Sequence, residues 1–188
     1  MDLSKMDLKK GISLIAIGFI LILVNINLRF NGTEVNVLPA FAGWLLYFLA
    51  YDYMGSYLSD RKYMKWAALV MVFLTGADWF LSIYDPTIDI GWFKTIINTI
   101  SAVYEFILFT AIERAAKGVQ SSRTETIAFL KYFNFGIFLV MTAVGILAQR
   151  LPIRVLAVIV TVAGAIALGS AIFTAFTLMG LRGEVMNS

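Results

Sequence analysis

Six long stretches of mostly apolar residues, joined by short polar connections, fill nearly the whole of this 188-residue chain. A helix needs about 20 such residues to cross a bilayer core. Six stretches approach that length: Gly11–Leu28, Val37–Tyr53, Trp66–Tyr84, Ile90–Ile112, Ile127–Ala148 and Ile153–Met179. The runs are continuous rather than alternating, which favours helices over the strands of a lipid-facing barrel. Composition agrees, with 60% apolar residues, 14% charged residues and a mean hydropathy of +0.83. Soluble domains carry roughly a quarter charged residues, and a soluble core in so short a chain could not hide this much apolar surface. The expectation is an all-α, six-transmembrane-helix bundle forming one polytopic domain over residues 1–188, with the lipid bilayer as its solvent.

Basic residues orient such a bundle, because cytoplasmic loops retain Lys and Arg. Lys5, Lys9 and Lys10 precede the first stretch, and Arg61, Lys62 and Lys65 lie between the second and third. Arg114, Lys117, Arg123 and Lys131 surround the connection from the fourth to the fifth, and Arg182 follows the sixth. Only Arg29, Lys94, Arg150 and Arg154 fall on the opposite side, so the bias is 11 to 4. Both termini are therefore expected in the cytoplasm, in a multi-pass protein of a bacterial cytoplasmic membrane. The first stretch runs into Asn25 and Asn27 without a small-residue cleavage site, so it reads as a retained signal anchor. Asn31-Gly32-Thr33 matches a glycosylation sequon, but Asn-Gly beside the membrane reads better as a turn.

Missing residue types narrow the chemistry. The chain has no Cys and no His, which removes thiolate and imidazole metal sites, histidine-ligated haem and any Ser-His-Asp arrangement. No enzymatic motif is recognisable, no cofactor is expected, and a net charge of +3 is too small to suggest nucleic-acid binding.

Polar residues inside the apolar stretches are the candidates for function, since ionisable groups in lipid turn towards the bundle interior. Asp78 lies about 9 Å inside the third stretch, and Glu105 about 12 Å inside the fourth, at 1.5 Å per residue. Lys94, Asn98, Ser101 and Glu105 fall on one face of the fourth helix, and Thr75, Asp78 and Ser82 form a stripe on the third. At the depth of Glu105, other helices offer Tyr47, Thr75, Asn134, Ser170 and Thr174. One reading is an outward-facing polar cavity lined by the third, fourth and sixth helices. Glu105 would form its floor, Asp78, Lys94, Asn98, Ser101 and Trp79 would take part in binding, and a small solute or cation would be the ligand. The other reading is interhelical glue, which suits an Asp78–Lys94 pair between antiparallel neighbours.

Ala163, Ala167, Ala171 and Ala175 recur every four residues in the sixth stretch. Such a stripe lets helices approach closely, either within the bundle or against a membrane-protein partner. The Glu113–Thr126 segment, ERAAKGVQSSRTET, is the longest polar stretch and a second place where a partner could dock.

The N-terminal part carries a more specific pattern. A Gly-started stretch ends in Asn25, Asn27 and Leu28, and the next begins with Leu38, Pro39, Phe41, Gly43 and Trp44. Over residues 11–53 this resembles a group of small, uncharacterised bacterial multipass membrane proteins, which implies a polytopic membrane protein without implying an activity. In architecture, six helices with both termini inside and a polar outer mouth are also similar to substrate-binding subunits of energy-coupling-factor transporters. Their first-helix Ala-x-x-x-Ala signature is not matched here, since Ala16 is followed four residues later by Ile20.

Overall fold

The computed structural model describes residues 3–23, 27–30, 33–36, 39–54, 61–84, 91–147 and 152–187. Six helices run in chain order: α1 (Leu3–Leu23), α2 (Ala40–Tyr53), α3 (Arg61–Tyr84), α4 (Gly91–Gly118), α5 (Thr124–Leu147) and α6 (Ile153–Asn187). Between α1 and α2 stands a small antiparallel hairpin of β1 (Asn27–Phe30) and β2 (Thr33–Asn36). Its register pairs Asn27 with Asn36 and Phe30 with Thr33.

Each helix packs on the next, and α6 closes back onto α1, so the six form a ring in which α3 and α4 are joined most thinly. Four of them are long and apolar enough to cross a membrane: α3, α4, α5 and α6. This fits a membrane protein and corrects the expectation of six spans. The physical reason is length. At 14 residues, α2 is only about 21 Å long, well short of a bilayer core of about 30 Å. In α1, the charges of Lys5, Asp7, Lys9 and Lys10 occupy the first turns, so the apolar part begins at Gly11. By contrast, the 35 residues of α6 extend about 52 Å, and its last turns carry Arg182 and Glu184.

The α1–α2 pair is held by direct backbone contact. A β-carbon on Gly18 would lie 2.8 Å from the carbonyl oxygen of Gly43, and one on Gly43 would lie 2.5 Å from that of Gly18. Glycine at both positions is what allows this approach. Around the seam sits the core, which includes Leu8, Ile12, Ile15, Phe19, Trp44, Tyr47 and Tyr51. It continues into α4 through Tyr104, Leu108, Phe109 and Ile112, and into α6 through Leu178, Leu181 and Val185. In the half containing the chain termini, α6 is largely buried; from Ile153 to Gly169 most of its surface is exposed and apolar.

The connection from α4 to α5 is fully described. The chain leaves α4 through a left-handed Gln120 (φ 52°), with the Ser121 amide donating to the Ala116 carbonyl at 2.9 Å. Glu184, reaching over from α6, then accepts from the Ser121 hydroxyl at 2.5 Å, the Ser122 amide at 3.0 Å and the Ser122 hydroxyl at 2.7 Å. The same carboxylate meets Arg123 Nε at 3.3 Å. A carboxylate at the start of α5 also answers the unpaired amides and positive end of that helix.

Candidate functional site

A cavity of about 280 Å³ lies within the ring, in the half away from the chain termini. The last turns of α1 contribute Phe19 and Ile22, and the first turns of α2 contribute Ala40 and Trp44. α2 can begin there because Pro39, at its N-cap, lacks the amide hydrogen that the first turn would leave unpaired. The middle of α4 supplies one wall and the middle of α5 the facing one, while α3 adds Thr75 and α6 adds Ala167. The expected walls were the third, fourth and sixth helices. α5 takes the larger share because Lys131, Asn134, Phe135, Phe138 and Met141 all fall on the side that it turns towards α4.

Three of the four residues in the polar stripe of α4 reach this space: Asn98, Ser101 and Glu105. Among the described residues Glu105 is the only carboxylate lining it, and it makes no hydrogen bond or ion pair with any of them. The Ser101 hydroxyl donates to the Ile97 carbonyl at 2.8 Å, and that of Thr75 to the Met71 carbonyl at 2.6 Å. Both therefore turn their acceptor lone pairs outward from their own helices.

The remaining candidates stand elsewhere. Lys94 is exposed, Asp78 is half-buried with an interaction of its own, and neither lines the cavity. Trp79 packs edge-on against Phe41, with ring centroids 5.6 Å apart. Of the residues singled out in the sequence, Asn25, Asn31, Gly32, Leu38 and Arg150 lie outside the described residues.

Several features of the site carry little signal in the sequence. Lys131, which reads as a loop cation, is buried at 7% exposure and bonds to Glu113 at 2.8 Å. Its ammonium also stands over the rings of Phe106 and Tyr132, 5.4 and 4.6 Å from their centroids. Lys117 holds the other oxygen of Glu113 at 2.7 Å. Aromatic residues of α1, α2 and α4 pack together as a wall. Trp44 meets Tyr104 and Tyr47 edge-on at 4.8 and 5.4 Å, those two tyrosines stack at 5.9 Å, and Phe19 meets Phe109 edge-on at 5.6 Å. Tyr47 is fully buried, its hydroxyl has no hydrogen-bond partner among the described residues, and it lies within electrostatic range of Glu105. One polar cluster was visible as residues at the right depth: Asn134 on α5 accepts from Ser170 and donates to Thr174 at 3.2 Å, tying α5 to α6.

The alanine stripe faces inward. Ala171 and Ala175 are buried, Ala167 lines the cavity, and Ala163 lines a shallow apolar groove between α5 and α6. Among the described residues no cluster of acidic side chains is arranged to hold a metal ion. Comparisons with protein families, with curated proteins and with solved structures gave no match to this chain.

Proposed function

We propose that this chain is a multi-pass protein of a bacterial cytoplasmic membrane that binds or moves a small solute or ion through its internal cavity. The carrying observation is Glu105, an acid in the middle of a long apolar helix, facing open space and without a protein partner among the described residues. A carboxylate in such surroundings is costly to maintain, and a ligand that completes its coordination offsets that cost. The 11-to-4 distribution of basic residues supports cytoplasmic termini, which makes the cavity outward-facing, since it lies in the half opposite the termini.

The competing reading, an accessory protein that docks a partner through α6 or the α4–α5 connection, finds less support. The alanine stripe is turned towards α5 and the core, and residues 121–123 are occupied by Glu184. Native mass spectrometry of the protein released from its own membrane in mild detergent tests the choice. A stoichiometric small-molecule adduct that disappears in Glu105→Gln is expected. A co-released protein subunit with an empty cavity would overturn the solute reading.

A further inference from the structure

The lining of the cavity says more about its ligand than the presence of an acid does. We infer that the site takes a small organic monocation, an ammonium carried on an apolar body. This deepens the function proposed above and rests on it.

Charge comes first. The lining residues contain one acid, Glu105, and one base, Lys131. Lys131 is already paired with Glu113 at 2.8 Å, which leaves Glu105 as the lining group with no ion-pair partner among the described residues. An anionic solute would meet no cation in this lining that is not already paired, whereas a cation would supply the counter-charge that lets Glu105 ionise in a low-dielectric space.

The walls then select among cations. Six aromatic rings line the space: Phe19, Trp44, Phe106, Phe109, Phe135 and Phe138. An ammonium is attracted to such ring faces, and the protein itself provides the example. Lys131 stands 5.4 Å from the Phe106 centroid and 4.6 Å from that of Tyr132. A bare metal cation needs about six oxygen ligands converging on one point, whereas of the polar lining groups Asn134 is already engaged with Ser170 and Thr174 and stands on the wall opposite Asn98, Ser101 and Glu105. At about 280 Å³ the cavity falls just below the range for drug-sized ligands, which limits the occupant to a small molecule.

The test uses the full-length protein in lipid nanodiscs and calorimetric titration with two matched probes. One is choline; the other is 3,3-dimethylbutan-1-ol, its uncharged carbon isostere. Choline is expected to bind at least about tenfold more tightly than the isostere, as a desolvated cation–π and ion-pair contact implies. Glu105→Gln should remove that preference and Glu105→Asp should keep part of it. Asn98→Asp, at an exposed cavity position that tolerates substitution, should tighten choline several-fold, and it serves if the Glu105 variants fail to fold. Equal binding of the two probes, insensitive to both positions, overturns the cation assignment. So does choline binding that sodium chloride abolishes at equimolar concentration. If a neutral or anionic solute binds instead, the cavity remains a solute site of another class. If no solute of any charge binds, the proposed function fails with the inference.

Discussion

Gly18 and Gly43 lie against each other where α1 crosses α2, each occupying the space that a β-carbon on the other would need. The hindrance is backbone on one side and backbone on the other, so neither can yield as a flexible side chain would. Gly18→Ala or Gly43→Ala should therefore destabilise the protein by about 1–3 kcal/mol, the usual cost of overpacking a tight contact. The measurement is the shift of the thermal unfolding midpoint in detergent, with Gly164→Ala as control, since nothing lies within 4 Å of that position. Equal shifts at Gly43 and Gly164 would contradict the seam.

Glu113 and Lys131 should not be interchangeable as sites of damage. Removing Lys131 leaves Glu113 with Lys117 at 2.7 Å, whereas removing Glu113 leaves the buried Lys131 ammonium beside the rings of Phe106 and Tyr132 and without an ion-pair partner among the described residues. Breaking a buried pair by stranding one charge is the expensive route. Glu113→Gln is expected to cost roughly 3 kcal/mol and Lys131→Met distinctly less. Chemical unfolding of the two variants side by side gives the order, and the reverse order refutes this account of the pair.

Arg123 lies over Gly180, where a β-carbon would collide with the guanidinium group. Gly180→Ala should push the arginine away, weaken its contact with Glu184 and loosen the α4–α5 connection. Because both partners of that ion pair are partly exposed, at 40% and 31%, the stability change should be about 1 kcal/mol or less. The clearer readout is limited trypsin digestion in detergent, with faster cleavage after Arg123 in Gly180→Ala and in Glu184→Gln than in the parent.

Because the chain contains no cysteine, single substitutions report sidedness directly. Lys117→Cys, at an exposed position beside the α4–α5 connection, and Ile153→Cys, 82% exposed at the opposite end of the bundle, should label from opposite faces. A membrane-impermeant maleimide on intact cells is expected to reach Ile153→Cys and to reach Lys117→Cys only after permeabilisation. Inverted labelling would place the termini outside and turn the cavity to the cytoplasm.

Asn134→Leu removes two hydrogen bonds between α5 and α6. Interhelical hydrogen bonds in membrane bundles contribute about 0.6 kcal/mol each, so the cost should be near 1 kcal/mol. A comparison of unfolding midpoints for Asn134→Leu and Glu113→Gln should therefore show much the smaller change in the former.

The helices were legible in the sequence because apolar length is additive along the chain. The stretch read as Ile153–Met179 lies within α6, and the one read as Ile90–Ile112 overlaps α4 from Gly91 onward; the two helices run on to Asn187 and Gly118. Hydropathy loses sight of a helix where it turns polar, although its hydrogen bonds continue into water. The opposite error affected the first stretch, which was read on to Leu28, although Asn27 and Leu28 belong to a strand paired with Asn36 and Val35. On α4, the stripe of Asn98, Ser101 and Glu105 could be placed on one face by spacing alone. What faces it could not. That Lys131 turns inward to Glu113, and that α5 rather than α3 forms the opposite wall, are properties of how helices dock. The only trace along the chain is a lone Asn134 within an apolar run.

The ring is closed by elements far apart in the chain. α1 packs on α2, its neighbour in sequence, and also on α6, from which four other helices separate it. The α1–α6 seam therefore carries the largest loop-closure cost of any contact in the ring. A chain whose α6 was loosened would keep its neighbour-to-neighbour contacts and lose the circle that they complete.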